Sequence, residues 1–147
     1  MTKTTSINFK RFDKTLPLPV FKTKGAVAAD MYCRTTVTIP PHQIAYIPQN
    51  VAIEIPKNHF IIMSSRSSAH KLGIMQANSI GIFDQDFCGN EDEYVYIAYN
   101  FTDKEITIEK GTRVAQILCL PYKSFQIIEK NKFKSPTRGG IGSTGVK

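Results

Sequence analysis

Apolar and polar side chains alternate over short stretches of this sequence and rarely recur at helical spacing, a periodicity that commits the chain to β structure. Val37-Thr38-Ile39, Ile44-Ala45-Tyr46-Ile47 and Val51-Ala52-Ile53-Glu54-Ile55 are early examples, and the runs at 60–63, 94–99, 106–108, 114–120 and 125–128 follow. Turn-forming residues stand between them: Pro40-Pro41, Pro48-Gln49-Asn50, Pro56-Lys57-Asn58, Thr102-Asp103-Lys104 and Lys110-Gly111. Many short strands at regular spacing predict an all-β sandwich, barrel or jelly roll. Only residues 65–72 read as helical, a short helix with Gly73 as its C-cap.

A chain of 147 residues makes one domain and can bury a full core without disulfide or metal staples. Cys33, Cys88 and Cys119 lie far apart without metal-ligand spacing, so buried or half-buried thiols in a reducing, cytoplasmic compartment are expected. No uncharged apolar run is long enough to span a bilayer, and no membrane contact is expected. The formal charge is +7, and every charged residue from Lys130 onward is basic, which favours an anionic partner. Aromatic residues are spread over the strands rather than interleaved with the basic ones, so no direct nucleic-acid contact is expected.

The division of the chain follows from the same reading: residues 1–130 form the β domain and 131–147 a mobile C-terminal arm. Four of the nine glycines fall within the last nine residues, in Arg138-Gly139-Gly140-Ile141-Gly142-Ser143-Thr144-Gly145. Glycine N–H groups, the Ser143 and Thr144 hydroxyls and the Arg138 guanidinium together can wrap a phosphate chain. The alternative is a disordered polar tail. A P-loop is excluded, because no Lys follows Gly142 and no helix-forming stretch remains after it.

The densest polar cluster is Asn78-Ser79-Ile80-Gly81-Ile82-Phe83-Asp84-Gln85-Asp86-Phe87-Cys88-Gly89. In a strand or hairpin, positions two apart share a face, so Asp84 and Asp86 would point the same way, one to activate water and the other to hold a metal or structure the turn. Alternatively Asp86 caps a turn ahead of Gly89. Arg66-Ser67-Ser68 opens the short helix and offers either an anion site or a Ser N-cap. Asp30, at the end of an apolar run, is either half of an ion pair or a metal-facing ligand, and the sequence favours the pair. His42, His59 and His70 lack zinc spacing and read as surface or loop residues, and Glu91-Asp92-Glu93 reads as a solvated turn.

Taken in order, five stretches resemble the five motifs of the trimeric dUTPase family. They are Ala26-Val27-Ala28-Ala29-Asp30-Met31, Arg66-Ser67-Ser68-Ala69-His70-Lys71-Leu72-Gly73, the cluster from Asn78 to Gly89, Gly111-Thr112-Arg113-Val114-Ala115-Gln116, and the arm from Arg138 to Gly145. The resemblance implies a jelly-roll-like β-clip domain that forms a homotrimer with shared active sites, closed by the arm. It implies hydrolysis of dUTP, with Mg²⁺ on its phosphates, to dUMP and pyrophosphate, which keeps uracil out of DNA and supplies dUMP for thymidylate synthesis. Asp84 would orient and activate the attacking water. Phe87, where the family has Tyr, would lie under the deoxyribose. Residues 73–83 would form the hairpin whose backbone pairs with uracil, with Asn78, Gly81 and Ile82 in that pocket. Arg66, Ser67, Ser68 and Gln116 would hold phosphates, Asp30 would reach the metal through water, and Arg138, Ile141, Gly142, Ser143 and Thr144 would close the lid.

Some positions depart from the family pattern. Ala28 and Ala29 stand where Gly and an aromatic are usual, Ser68-Ala69 replaces Gly-Leu, and Asn90-Glu91-Asp92-Glu93 lengthens the turn after Gly89. Ile141 replaces the Phe that stacks on uracil, a contact of roughly 1–3 kcal/mol, so a looser lid and weaker binding are expected. Two other functions fit the same fold: a dCTP deaminase-related enzyme, whose family lacks such an arm, and a nucleotide-binding regulatory protein without turnover.

Overall fold

The computed structural model describes residues 5–140. Eleven strands cover them: β1 (Asn8–Arg11), β2 (Ala29–Asp30), β3 (Val37–Ile39), β4 (Ile44–Pro48), β5 (Val51–Glu54), β6 (His59–Ser65), β7 (Ile74–Gln76), β8 (Gly81–Phe83), β9 (Val95–Asn100), β10 (Ile106–Ile108) and β11 (Ala115–Pro121). Every pairing is antiparallel. The strands form a four-stranded sheet β2-β11-β6-β8, a three-stranded sheet β4-β9-β7 and two ribbons, β1-β5 and β3-β10. This is the all-β, jelly-roll-like arrangement that the alternation demands.

Alternation decides what is buried. In β6, Ile61 and Met63 enter the core while Phe60 and Ile62 face outward, and in β11 Ala115 and Ile117 follow the same rule. They meet Ile39, Ile47, Ile53, Ile74, Tyr94, Tyr96 and Ile108 in one core. Cys33 lies within it, and burial pushes its thiol up to about 11. The turns are where the Pro-x-Asn signals put them, with Asn50 at φ 68° and Asn58 at φ 61°, a region that Asn tolerates better than most residues. Buried Asn100 fixes the β9–β10 connection, its amide donating to the carbonyls of Ile39, Pro40 and Lys104. No helix among the described residues is long and apolar enough to cross a membrane.

Several expectations are corrected. The run 125–128 forms no strand: Phe125, Ile127 and Ile128 are 84%, 93% and 70% exposed, and the last strand ends at Pro121. The helix is a 3₁₀ turn, Ala69–Leu72, closed by Gly73 at φ 77°. Strands β1, β2, β7 and β8 lie outside the runs read from the sequence. Cys88 is exposed, and His59 opens β6 half-buried rather than standing in a loop.

Candidate active site

Strands β7 and β8 are joined by residues 77–80, with Ser79 at φ 65°, yet they do not pair with each other. β7 adds to β9 and β8 adds to β6, so the connection splays between two sheets. Each is the last strand of its sheet and keeps one main-chain edge free of a partner strand. Free N–H and C=O groups in a splayed loop can pair with the edge of a planar base. A Cβ at Gly81 would stand 2.9 Å from the Phe83 ring, so that ring, stacked on Tyr94, would have to shift to admit one.

A pocket of about 380 Å³ opens beside this loop, and Asn78, Gly81, Ile82 and Phe87 line it together with Tyr46 and Glu93. Its aromatic floor is Phe83 and Phe87, backed from within the core by the buried ring of Tyr94. Tyr94 lies flat on Phe83, with ring centroids 3.9 Å apart and an interplanar angle of 14°, and Phe87 leans on both at 5.8 and 5.6 Å.

Asp84 and Asp86 occupy a turn rather than a strand, closed by the Phe87 N–H donating to the Asp84 carbonyl at 3.1 Å. Alternation therefore does not govern them, although both line one open cleft of about 670 Å³ with Phe60 and Tyr122. Ile82 belongs to this cleft and to the smaller pocket, which puts the carboxylates next door to the aromatic floor. Asp86 thus sits in a turn ahead of Gly89, whose own N–H donates to Asp92 at 2.7 Å. The acidic run is not solvated throughout. Glu93 is only 13% exposed and grips Arg34 through two 2.8 Å bonds.

A cationic pocket of about 430 Å³ gathers Arg66, Ser67, Gln116 and Asp30 with Lys22 and Thr23. Register assembles it, because β11 pairs Gln116 with Asp30 on one side and with Ser64 on the other. Asp30 is the ion-pair partner that its context suggests. Arg66 Nε donates to its Oδ1 at 3.0 Å and an Arg113 guanidinium nitrogen to its Oδ2 at 2.8 Å. Arg113 is a contributor not singled out from the sequence, although it stands inside the fourth motif. Held this way, Arg66 is only 27% exposed; one terminal nitrogen donates to the Arg113 carbonyl at 3.2 Å, and the other is left to meet an anion. Ser68 lies outside this lining; it precedes the 3₁₀ turn and makes no side-chain capping bond, so the anion site rests on side chains rather than a helix end. Arg138 is exposed, and Ile141, Gly142, Ser143 and Thr144 lie outside the described residues.

Among the described residues no group of three His, Cys, Asp or Glu side chains is placed to hold a metal ion. The cationic pocket offers guanidinium, hydroxyl and amide donors, and its carboxylate already engages two arginines. That donor set suits an anion, and a cation fits there only as part of a nucleotide whose phosphates carry it.

An aromatic-floored pocket with free main-chain edges and a separate anion pocket, both on a jelly-roll-like domain, define a nucleotide-binding protein of the β-clip class. The family model for dUTPase matches residues 14–145. A deoxyuridine 5'-triphosphate nucleotidohydrolase of Hydrogenobaculum sp. (strain Y04AAS1) is 34% identical over 142 residues, spanning 94% of this chain and 96% of that one. One from Lactococcus lactis subsp. lactis (strain IL1403) is 33% identical, over 88% of each. Among solved structures, a dUTPase from Streptococcus mutans matches with TM-score 0.73 at 25% identity, over 80% of this chain and 98% of that one. Staphylococcus bacteriophage 80alpha dUTPase with dUPNHPP shares the fold, with TM-score 0.84 at 22% identity, over 97% of this chain and all of the other. The chain belongs to the dUTPase family, and it is an enzyme of the nucleotidohydrolase type.

Proposed function

We infer that this chain hydrolyses dUTP to dUMP and pyrophosphate. The observation that carries the reading is the splayed β7–β8 connection, with its unpaired main-chain edges beside Phe87 and the Asp84 turn. Uracil pairs with the loop backbone near Asn78, and the pocket walls leave no room for thymine's methyl group. The deoxyribose rests on Phe87, whose ring excludes a 2′-hydroxyl. Asp84 accepts a proton from the water that attacks the α-phosphorus; the bond from that phosphorus to the bridging oxygen breaks, and pyrophosphate leaves.

Arg66, Ser67 and Gln116 hold the phosphates, with Ser68 behind them and Arg138, Ile141, Gly142, Ser143 and Thr144 closing from the arm. Mg²⁺ carried by the triphosphate would neutralise part of its charge, and Asp30, which already holds Arg66 and Arg113, would face that ion only through water. Within one chain the anion pocket and the aromatic-floored pocket share no lining residue, which supports active sites completed between copies in a homotrimer. The outward row Ile82, Ile62 and Leu118 across β8, β6 and β11 offers an apolar face for such a contact.

The test is pyrophosphate release with Mg²⁺ from dUTP, dTTP, dCTP and UTP. Turnover of dUTP should exceed the other three by about 100-fold or more, the discrimination that a clash or an unpaired polar edge imposes. Equal rates across the four nucleotides, or no release at all, would end the reading.

A further inference from the structure

The insertion at 90–93 is tied down at both ends, and the route of the tie leads into the pocket. Lys10 Nζ donates to the Asn90 carbonyl at 2.6 Å. At the other end the Glu93 carboxylate takes three donors: Arg34 Nε and the Asn50 N–H on Oε1 at 2.8 and 2.9 Å, and a second Arg34 nitrogen on Oε2 at 2.8 Å. Both partners belong to a firm frame. The Arg34 N–H donates to the Pro48 carbonyl at the end of β4, and Asn50 is buried in the β4–β5 turn.

Tyr94 follows Glu93 directly. It is fully buried, its N–H donates to the Val51 carbonyl, and its ring stacks on Phe83 and meets Phe87 at a 49° tilt. Those two phenylalanines flank the turn that carries Asp84. The Tyr94 hydroxyl finds no partner among the described residues, so the ring alone performs this packing. A bidentate guanidinium–carboxylate fork fixes direction as well as distance, which a single contact does not.

We propose that the Arg34–Glu93 fork is a positioning clamp that, through Tyr94, sets the turn at 84–87, and so places Phe87 against the sugar and Asp84 against the attacking water. The placement of sugar and water rests on the dUTP reading above; the clamp on the turn does not. Glu93 itself lines the nucleotide pocket, and its pairing with Arg34 keeps that carboxylate from repelling a triphosphate.

The experiment uses the full chain and two variants, Glu93→Gln and Arg34→Lys, with the double variant to close the cycle. Hydrogen exchange is measured first, without nucleotide. The Phe87 amide, bonded to the Asp84 carbonyl, should exchange about tenfold faster in each variant, while amides of β10 keep their rates. Kinetics follow well below the melting temperature. The ratio of kcat/KM for dUTP over UTP should fall about tenfold, and the double variant should be no worse than either single one. Exchange that is unchanged at Phe87, or faster everywhere alike, overturns the clamp, as does an unchanged dUTP/UTP ratio with strictly additive effects. If Glu93→Gln does not fold, Arg34→Lys carries the same comparison. A wild type inert towards dUTP would remove the functional reading and leave the exchange result to decide the clamp by itself.

Discussion

Asp30 and Asp84, both near the nucleotide pockets, differ in their company, and the difference fits the roles proposed for them. Asp30 has both oxygens engaged by Arg66 and Arg113, so it orients guanidinium groups towards an anion. Asp84 begins a tight turn beside an open cleft, and among the described residues no cation pairs with it. A carboxylate free of a cationic partner remains a proton acceptor for water. Asp84→Asn should therefore lower kcat by about 10²–10⁴-fold, the usual range for loss of a general base. Affinity for a nonhydrolysable dUTP analogue, read by calorimetry, should change little, because the phosphate donors lie in another pocket. Wild-type turnover in that variant would move the base elsewhere. Asp30 as half of an ion pair was legible from its place after an apolar run, but its partners were not. Arg66 and Arg113 reach it only through the register of β11 with β2 and β6, which no local pattern in a two-residue strand reveals.

At the level of elements, the longer strands were legible because they have a buried and an exposed face. β4, β6, β9 and β11 carry that alternation over five to seven residues. The same rule misplaced residues 125–128, which alternate yet stand exposed, because alternation reports a face to be covered and not what covers it. It also missed β7 and β8, whose main-chain edges matter more for the site than their side-chain pattern does. Phe125, Ile127, Ile128 and Phe133 stand uncovered in a single chain. Residues 121–140 are exposed throughout and contribute nothing to the core. A chain ending at Thr137 should then keep its β circular dichroism and melt within about 2 °C of the full chain, since the core is untouched. Its dUTP turnover should fall at least about 100-fold, because closure over the phosphates is lost. Normal turnover after truncation would reduce the arm to a tail.

For the whole molecule, the two pockets of one chain are lined by separate sets of residues. The anion pocket draws on residues 22–28, β2, the segment just after β6 and β11, while the nucleoside pocket draws on β4, β6, β8 and β9 with the segments around them, and neither lining includes a residue of the other. A triphosphate linked to its nucleoside must contact both kinds of surface at once, which the proposed cyclic assembly would achieve by placing the anion pocket of one copy against the nucleoside pocket of the next. Complementation tests this without a structure of the assembly. Asp84→Asn and Arg66→Ala are each inactive alone when every site needs both side chains. Mixed by unfolding and refolding in equal amounts, they form trimers in which some sites take Asp84 from one variant and Arg66 from the other. Random assembly leaves about a quarter of such sites intact, so activity should return to about a quarter of wild type, with a mass by light scattering of three chains. Sites built within one chain have no intact combination, and a mixture that stays inactive while remaining trimeric would show that a single protomer carries the whole machinery.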